Sequence, residues 1–232
     1  NVTVKNKVDI NGNVYIDGDL KVQGGFPTCV LKGNLYVDGN INIENGAQIE
    51  GYMFATGDIK FTGSAPVVEV KGNLSAGGYI DFGNPAKIDG NVSAGGYVKF
   101  VGGSPCCDLK GNLTSGAYID FGNPAKIDGN VLAEEYVKIV SGGFLANPGG
   151  MLCVYSATGN ISDFRTTGLV NGVVYAPQGE VKINGDVNLN GSIVGQTVSG
   201  WSGNLKMGES EQELSFMGGS GGPAGGEFER YA

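Results

Sequence analysis

The chain has 232 residues, with 43 glycines, only 8 prolines, 41% apolar and 16% charged residues, no histidine and a net charge of −8. Without a three-residue glycine period it is not collagen, and its apolar content excludes a wholly disordered chain. The acidic balance disfavours nucleic acid as a partner. The lack of histidine removes every Ser-His or Cys-His dyad, and no apolar run approaches the ~20 residues that insert into a membrane.

Read from the N-terminus, the chain is a repeat. NVTVK at residues 1–5 already alternates polar and apolar residues, as a short strand does. Residues 71–107 return at 110–140 with an offset of 39, which also relates Lys32-Gly33-Asn34 to Lys71-Gly72-Asn73 and Lys110-Gly111-Asn112. The 39 divides into coils of 18 and 21 residues starting at Gly12, Gly33, Gly51, Gly72, Gly90, Gly111 and Gly129. The coil from Gly72 breaks into three hexads with apolar third and fifth residues: Leu74 and Ala76, Ile80 and Phe82, Ala86 and Ile88. Glycine or asparagine between hexads predicts corners with φ > 0. The predicted fold is therefore all-β: a three-sided parallel β-helix, or β-solenoid, of expected right-handed coiling. A lone coil has too few inward side chains to fold, so coils must stack. In the 21-residue coils the third side is longer, and its extra residues, GGSPCC at 102–107, are expected to form a ridge.

Outward positions support this stacking. The residues before corner glycines alternate in sign: Lys32, Glu50, Lys71, Asp89, Lys110, Asp128. The middle of side two gives Lys60, Asp81, Lys99, Asp120, Lys138, and side three gives Glu69, Lys87, Asp108, Lys126. With coils ~4.8 Å apart, each charge lies between opposite ones and helps to fix register. Tyr79, Tyr97, Tyr118 and Tyr136 form an expected stack, and the asparagines after corner glycines another ladder.

Residues 1–140 are thus the regular solenoid. Residues 141–207 continue it less regularly, with inward Val181, Ile183, Val187, Leu189 and Ile193, and GNLKM at 203–207 reads as a last strand. Residues 208–232 form a glycine-rich acidic tail or arm. The segment 170–207 carries Tyr175-Ala176-Pro177, Val181, Ile183, Gly185 and Gly191-Ser192-Ile193-Val194. It resembles the C-terminal β-repeat domain of PilX-like proteins associated with type IV pili. The 39-residue repeats more loosely resemble bactofilins, cytoplasmic proteins that polymerise end to end as β-helices. Both resemblances imply a structural, assembling protein, and neither supplies a catalytic motif.

Few residues offer chemistry. Asp17 and Asp19 are a candidate calcium pair, set against a simple solvated corner. Read as a glycosidase acid and base, the same pair lacks a cleft. No enzyme is expected, and no cofactor other than calcium. Cys29 and Cys107 share a register position, point inward and are too far apart to bond. Cys106 on the ridge and Cys153 in the irregular region are a candidate disulfide, with bridges between subunits as the other option. The exposed coil edges are templates for pairing. Val2, Val4, Trp201, Leu205, Phe228 and Tyr231 are the candidate assembly interface. Trp201 serves there or as a cap, and Phe228 and Tyr231 are apolar anchors of the arm. The expected function is a structural subunit of an extracellular or cell-surface filament that assembles head to tail with itself. The alternative is a monomeric surface adhesin or polysaccharide-binding rod, with other pilus or surface proteins or polysaccharide as partners.

Overall fold

The structure, a computed structural model, describes residues 1–5, 7–23, 29–44, 46–63, 67–102, 106–139, 144–146, 151–166, 168–200 and 205–208. Within the regular region each coil contributes three short strands, one per side. In the coil from Gly72 these are Leu74–Ala76, Ile80–Phe82 and Ala86–Ile88, the predicted hexads. All pairing is parallel and runs between equivalent sides of successive coils: Leu74 pairs Val92, Ile80 pairs Val98 and Ala86 pairs Cys107. Sides one and two, with the C-terminal strands, form a 20-stranded sheet, and side three forms an 8-stranded one. No helix occurs among the described residues, and none there is long and apolar enough to cross a membrane.

The inward third and fifth residues fill one continuous core, buried almost without exception from Leu20 to Leu189. Identical side chains meet in it because the register repeats. On side two Phe61, Phe82, Phe100 and Phe121 stack with ring centroids 5.2, 4.8 and 4.8 Å apart. Where Ala76 and Ala94 are followed by Ser115, the hydroxyl is satisfied: its one proton is shared between the Gly96 and Tyr118 carbonyl oxygens, and its oxygen accepts from the Ala117 N–H. A buried hydroxyl without such partners is costly.

The corner glycines differ from expectation. Of the predicted coil starts, only Gly12 has positive φ. The others are required for a different reason. A Cβ at Gly72 would lie 2.6 Å from the Gly51 carbonyl oxygen, and one at Gly90 would lie 2.6 Å from that of Gly72. Close stacking of one corner on the next excludes the side chain, whatever the local backbone conformation.

The solenoid continues past Val140. Phe144–Ala146 pairs with Ala125–Ile127, and Met151–Ser156 stacks on Val131–Ala133. Beyond this the strands run through the corners: Leu169–Ile183 spans 15 residues and pairs with Val187–Ser199. Gly168 and Gly185 bend the chain beside these strands, Gly172 and Gly191 lie within them, and all four have positive φ; the register shifts between Ala176 and Glu180. Leu205–Gly208 adds the last described strand, against Val187–Asn190. Ridge residues 24–28, 64–66 and 103–105, Trp201, and the tail with Phe228 and Tyr231 lie outside the described residues.

The phenylalanine stack should dominate stability. Phe100→Ala removes a fully buried ring held between two others and is expected to cost ~3–5 kcal/mol. Thr114→Ala, on the exposed face of side one, should stay within ~0.5 kcal/mol. Urea denaturation followed by circular dichroism measures both, and equal losses would contradict the stack's role.

Candidate functional site

The chemistry of this rod lies in its outward ladders. At the corner before side two, a relay of side chains ties each coil to the next. The Asp19 N–H donates to Asn1 Oδ1 (2.8 Å), that of Asn40 to Asp19 Oδ1 (2.8 Å), that of Asp58 to Asn40 Oδ1 (2.9 Å), and that of Tyr79 to Asp58 Oδ1 (3.1 Å). From Tyr79 on, the same position holds the predicted tyrosine stack. Its centroids are 4.5, 5.0 and 4.6 Å apart and its interplanar angles 8°, 13° and 3°. The other corner keeps the asparagine ladder: the Asn91, Asn112 and Asn130 N–H groups donate to Asn73, Asn91 and Asn112, each at 2.8 Å. Such ladders satisfy corner backbone groups that no strand pairing reaches.

The alternating charges stand in the predicted register. Lys60, Asp81, Lys99, Asp120 and Lys138 are successive partners on side two, and Glu69, Lys87, Asp108 and Lys126 on side three. Ion pairs close at Lys71–Glu50 (3.5 Å), Lys110–Asp89 (2.7 Å) and Lys126–Asp108 (3.8 Å). On side two the lysines turn instead to the tyrosines. The Lys60 ammonium lies 5.0 Å from the Tyr79 ring centroid, and that of Lys99 lies 4.6 Å from Tyr97 and 5.5 Å from Tyr118. The ring faces attract the cations. Burial pushes the Asp81 carboxyl up, against the pull of Lys99 and Lys60. Burial likewise pushes the Tyr97 hydroxyl up to about 12. The reading of sign alternation found these residues but not their partners, because it ignored the tyrosine two residues before each of Asp81, Lys99, Asp120 and Lys138.

The candidate calcium residues Asp17 and Asp19 take up different contacts. Asp19 belongs to the corner relay, where its Oδ1 accepts both the backbone N–H and the side-chain amide of Asn40. Asp17 faces outward on side one, directly opposite Asp38 in register. Among the described residues no three or more acidic or cysteine side chains gather as a metal cluster. Asp17 and Asp38 instead flank an open apolar groove of ≈ 440 Å3 with Tyr15, Tyr36 and Phe54. Tyr15 and Tyr36 stack there at 5.0 Å.

The cysteine reading needs correction. Cys106 is not on a ridge but buried in a rung. Its N–H donates to the Pro124 carbonyl, its carbonyl accepts from Ala86, and its thiol donates to the Phe82 carbonyl at 3.1 Å. Cys153 sits on a side-one strand two or more coil spacings away, ~10 Å, beyond the ~7 Å a disulfide spans. Both thiols are free, as are Cys29 and Cys107. Burial pushes the Cys106 thiol up to about 11 and raises that of Cys107 well above its ordinary value, which makes both poor nucleophiles.

Val2–Val4 pairs with Leu20–Val22, and Val2 is 42% exposed. At the other end Leu205 is the register partner of Val187.

Comparison with known proteins gives one family. Residues 2–104, just under half of the chain, match the family described as Bactofilin, polymer-forming cytoskeletal. No curated protein matches, nor does any solved structure. The match covers the first regular coils and does not reach residues 170–207, so the PilX-like resemblance of that segment finds no counterpart.

The two kinds of carboxylate make opposite pH predictions. Lys110 holds the Asp89 carboxyl below its usual range. Its contribution is complete above the unfolded carboxylate value, ~3.9, and is lost as pH falls through the folded value. Lys110 is raised by the same pairing, so its share is present below the unfolded lysine value and lost as pH rises through the folded one. Asp81, pushed up by burial, costs stability progressively as pH rises from ~3.9 through its raised value. Asp89→Asn should therefore lower the denaturation midpoint at pH 7, with the deficit vanishing in acid. Asp81→Asn should leave the midpoint unchanged or raise it. Equal losses in both variants would contradict this assignment.

Proposed function

We propose that this chain is a structural subunit that polymerises with itself into a filament. The observation that carries this reading is the match of residues 2–104 to a polymer-forming family, a stretch made of the regular coils. The physics supports it. Every coil presents the next with an edge of backbone donors and acceptors and a matching set of side-chain ladders, so a coil edge is a template for another coil. A head-to-tail contact of this kind is heterologous and gives an open filament when its rotation does not close.

The contact we assign joins the edge at Val2–Val4 to that at Leu205–Gly208, with Trp201 and the arm residues Phe228 and Tyr231 as further contributors. For location, the family description of a cytoskeletal polymer outweighs the PilX-like resemblance, and we propose a cytoskeletal filament rather than a surface appendage. Labelling of intact cells with a membrane-impermeant reagent tests that choice, since a surface filament would be labelled.

The strand geometry selects the assembly variant. The Val2 N–H donates to the Asp19 carbonyl, and the Val4 carbonyl accepts from Gln23. Alternation along a parallel strand then turns the Thr3 N–H and C=O to the opposite edge. Thr3→Pro removes the donor on that edge while sparing the bonds to Leu20–Val22. Negative-stain microscopy and sedimentation should show concentration-dependent filaments for the parent and markedly shortened or absent ones for Thr3→Pro. A parent that stays monomeric at high concentration overturns the polymer reading and favours the monomeric rod. Unchanged filaments in Thr3→Pro overturn this edge as the contact.

A further inference from the structure

The tyrosine stack has an uncovered end. The Ile119 N–H donates to the Tyr136 carbonyl, and one rung later the Val137 N–H donates to that of Asn160. Asn160 therefore holds the position where a fifth ring would stand. Its short side chain is engaged upward, with Oδ1 accepting from the Glu180 N–H at 2.8 Å. Neighbouring Gly159 packs its backbone against the Glu135 carbonyl, with no room for a Cβ. A cleft of ≈ 300 Å3 results, lined by Glu135, Tyr136, Thr158, Gly159, Asn160 and Ser162. Among the described residues, every other ring of the stack has a lysine or a further ring on each face, whereas Tyr136 is stacked only on Tyr118.

We propose that this cleft is a subsite for one ring of a neutral glycan, with the pyranose lying on the open face of Tyr136. The negative face of an aromatic ring attracts the weakly positive C–H groups on the flat side of a sugar. Around that platform stand the groups that read hydroxyls: the Glu135 carboxylate, the Thr158 and Ser162 hydroxyls, and the Asn160 amide. Thr158 already donates to the Glu134 carbonyl at 2.7 Å, which orients its oxygen as an acceptor. Charge selects a neutral ligand. An anion meets exposed Glu135 and a chain of net charge −8. A cation meets Lys138, the register partner of Ser162 on the flank of the cleft. The volume is at the small end of ligand pockets and suits one ring of a longer chain rather than a large cofactor.

The same ladder supplies a plug. A tyrosine follows Asp58 at the equivalent position without disturbing the rungs, as Tyr79. Asn160→Tyr should therefore fold, extend the stack by one ring and fill the cleft. Saturation-transfer NMR on the full chain, with cellohexaose, laminarihexaose, maltohexaose and chitohexaose, tests the site, with adenosine and spermidine as competitors. At least one hexasaccharide should bind, about tenfold or more weakly in Asn160→Tyr and Tyr136→Ala, and within about twofold of the parent in Tyr136→Phe. Filaments should form in all three variants, so failure of this site and failure of the polymer reading are separately visible. No binding by any hexasaccharide, unchanged binding in Asn160→Tyr, or preferential binding of adenosine or spermidine would overturn the proposal.

Discussion

Backbone pairing between coils sets a spacing of ~4.8 Å, and at that distance each outward or inward residue touches its counterpart one coil away. A residue must therefore be compatible with its own repeat. Planar rings meet this condition by stacking, as Phe82 does on Phe100 and Tyr97 on Tyr118. Carboxamides meet it by relaying hydrogen bonds, as Asn112 does between Asn91 and Asn130. Charges cannot repeat and must alternate. Corner positions such as Gly72 and Gly90 meet it by having no side chain, because the carbonyl oxygen of the coil below lies 2.6 Å from where a Cβ would stand. The corner glycines with a carbonyl oxygen at the Cβ position, and the ladders of rings, amides and alternating charges, follow from this single contact distance.

Among the described residues one register pair breaks the rule on charges. Asp17 and Asp38 face each other in register with no cation between them. Part of the strain is relieved by the Thr56 hydroxyl, which donates to Asp38 Oδ1 at 2.9 Å, and part by the exposure of side one. Beside them Tyr15 is 72% exposed and Phe54 37%. The fold tolerates this pair because it lies in water, where like charges repel weakly.

The period carried most of the fold. Alternation within hexads put Leu74, Ile80 and Ile88 inside, and the 18 and 21 offsets set every strand register of the regular part, because a repeat that stacks on itself converts sequence distance into spatial adjacency. Three features were not legible. The corner glycines looked like left-handed residues, yet their cause is a neighbour 18 or 21 positions away, which no local pattern shows. Cys106 looked like part of an insertion, although its rung bonds to Ala86 and Pro124 place it inside. Past Val140 the hexads dissolve because strands such as Leu169–Ile183 run through the corners. The solenoid persists there, but glycines of positive φ, Gly172 and Gly191, now lie within the strands, and alternation alone no longer marks a side.

A rod built from one repeated contact has few distinct places along its length. A ligand meeting the middle of the Tyr79–Tyr136 stack finds each ring face covered by a neighbouring ring. Distinctness arises only where one solution to the stacking problem gives way to another. The corner before side two changes twice: from the Asx relay ending at Asp58 to the rings starting at Tyr79, and from Tyr136 back to Asn160. At the first change the Lys60 ammonium covers the exposed ring face, so the junction is closed. At the second, the step from Tyr136 to Asn160 spans 24 residues instead of 18 or 21, and the junction is open. The assembly we propose would use what is common to all coils, and the recognition we propose would use the open junction at Tyr136.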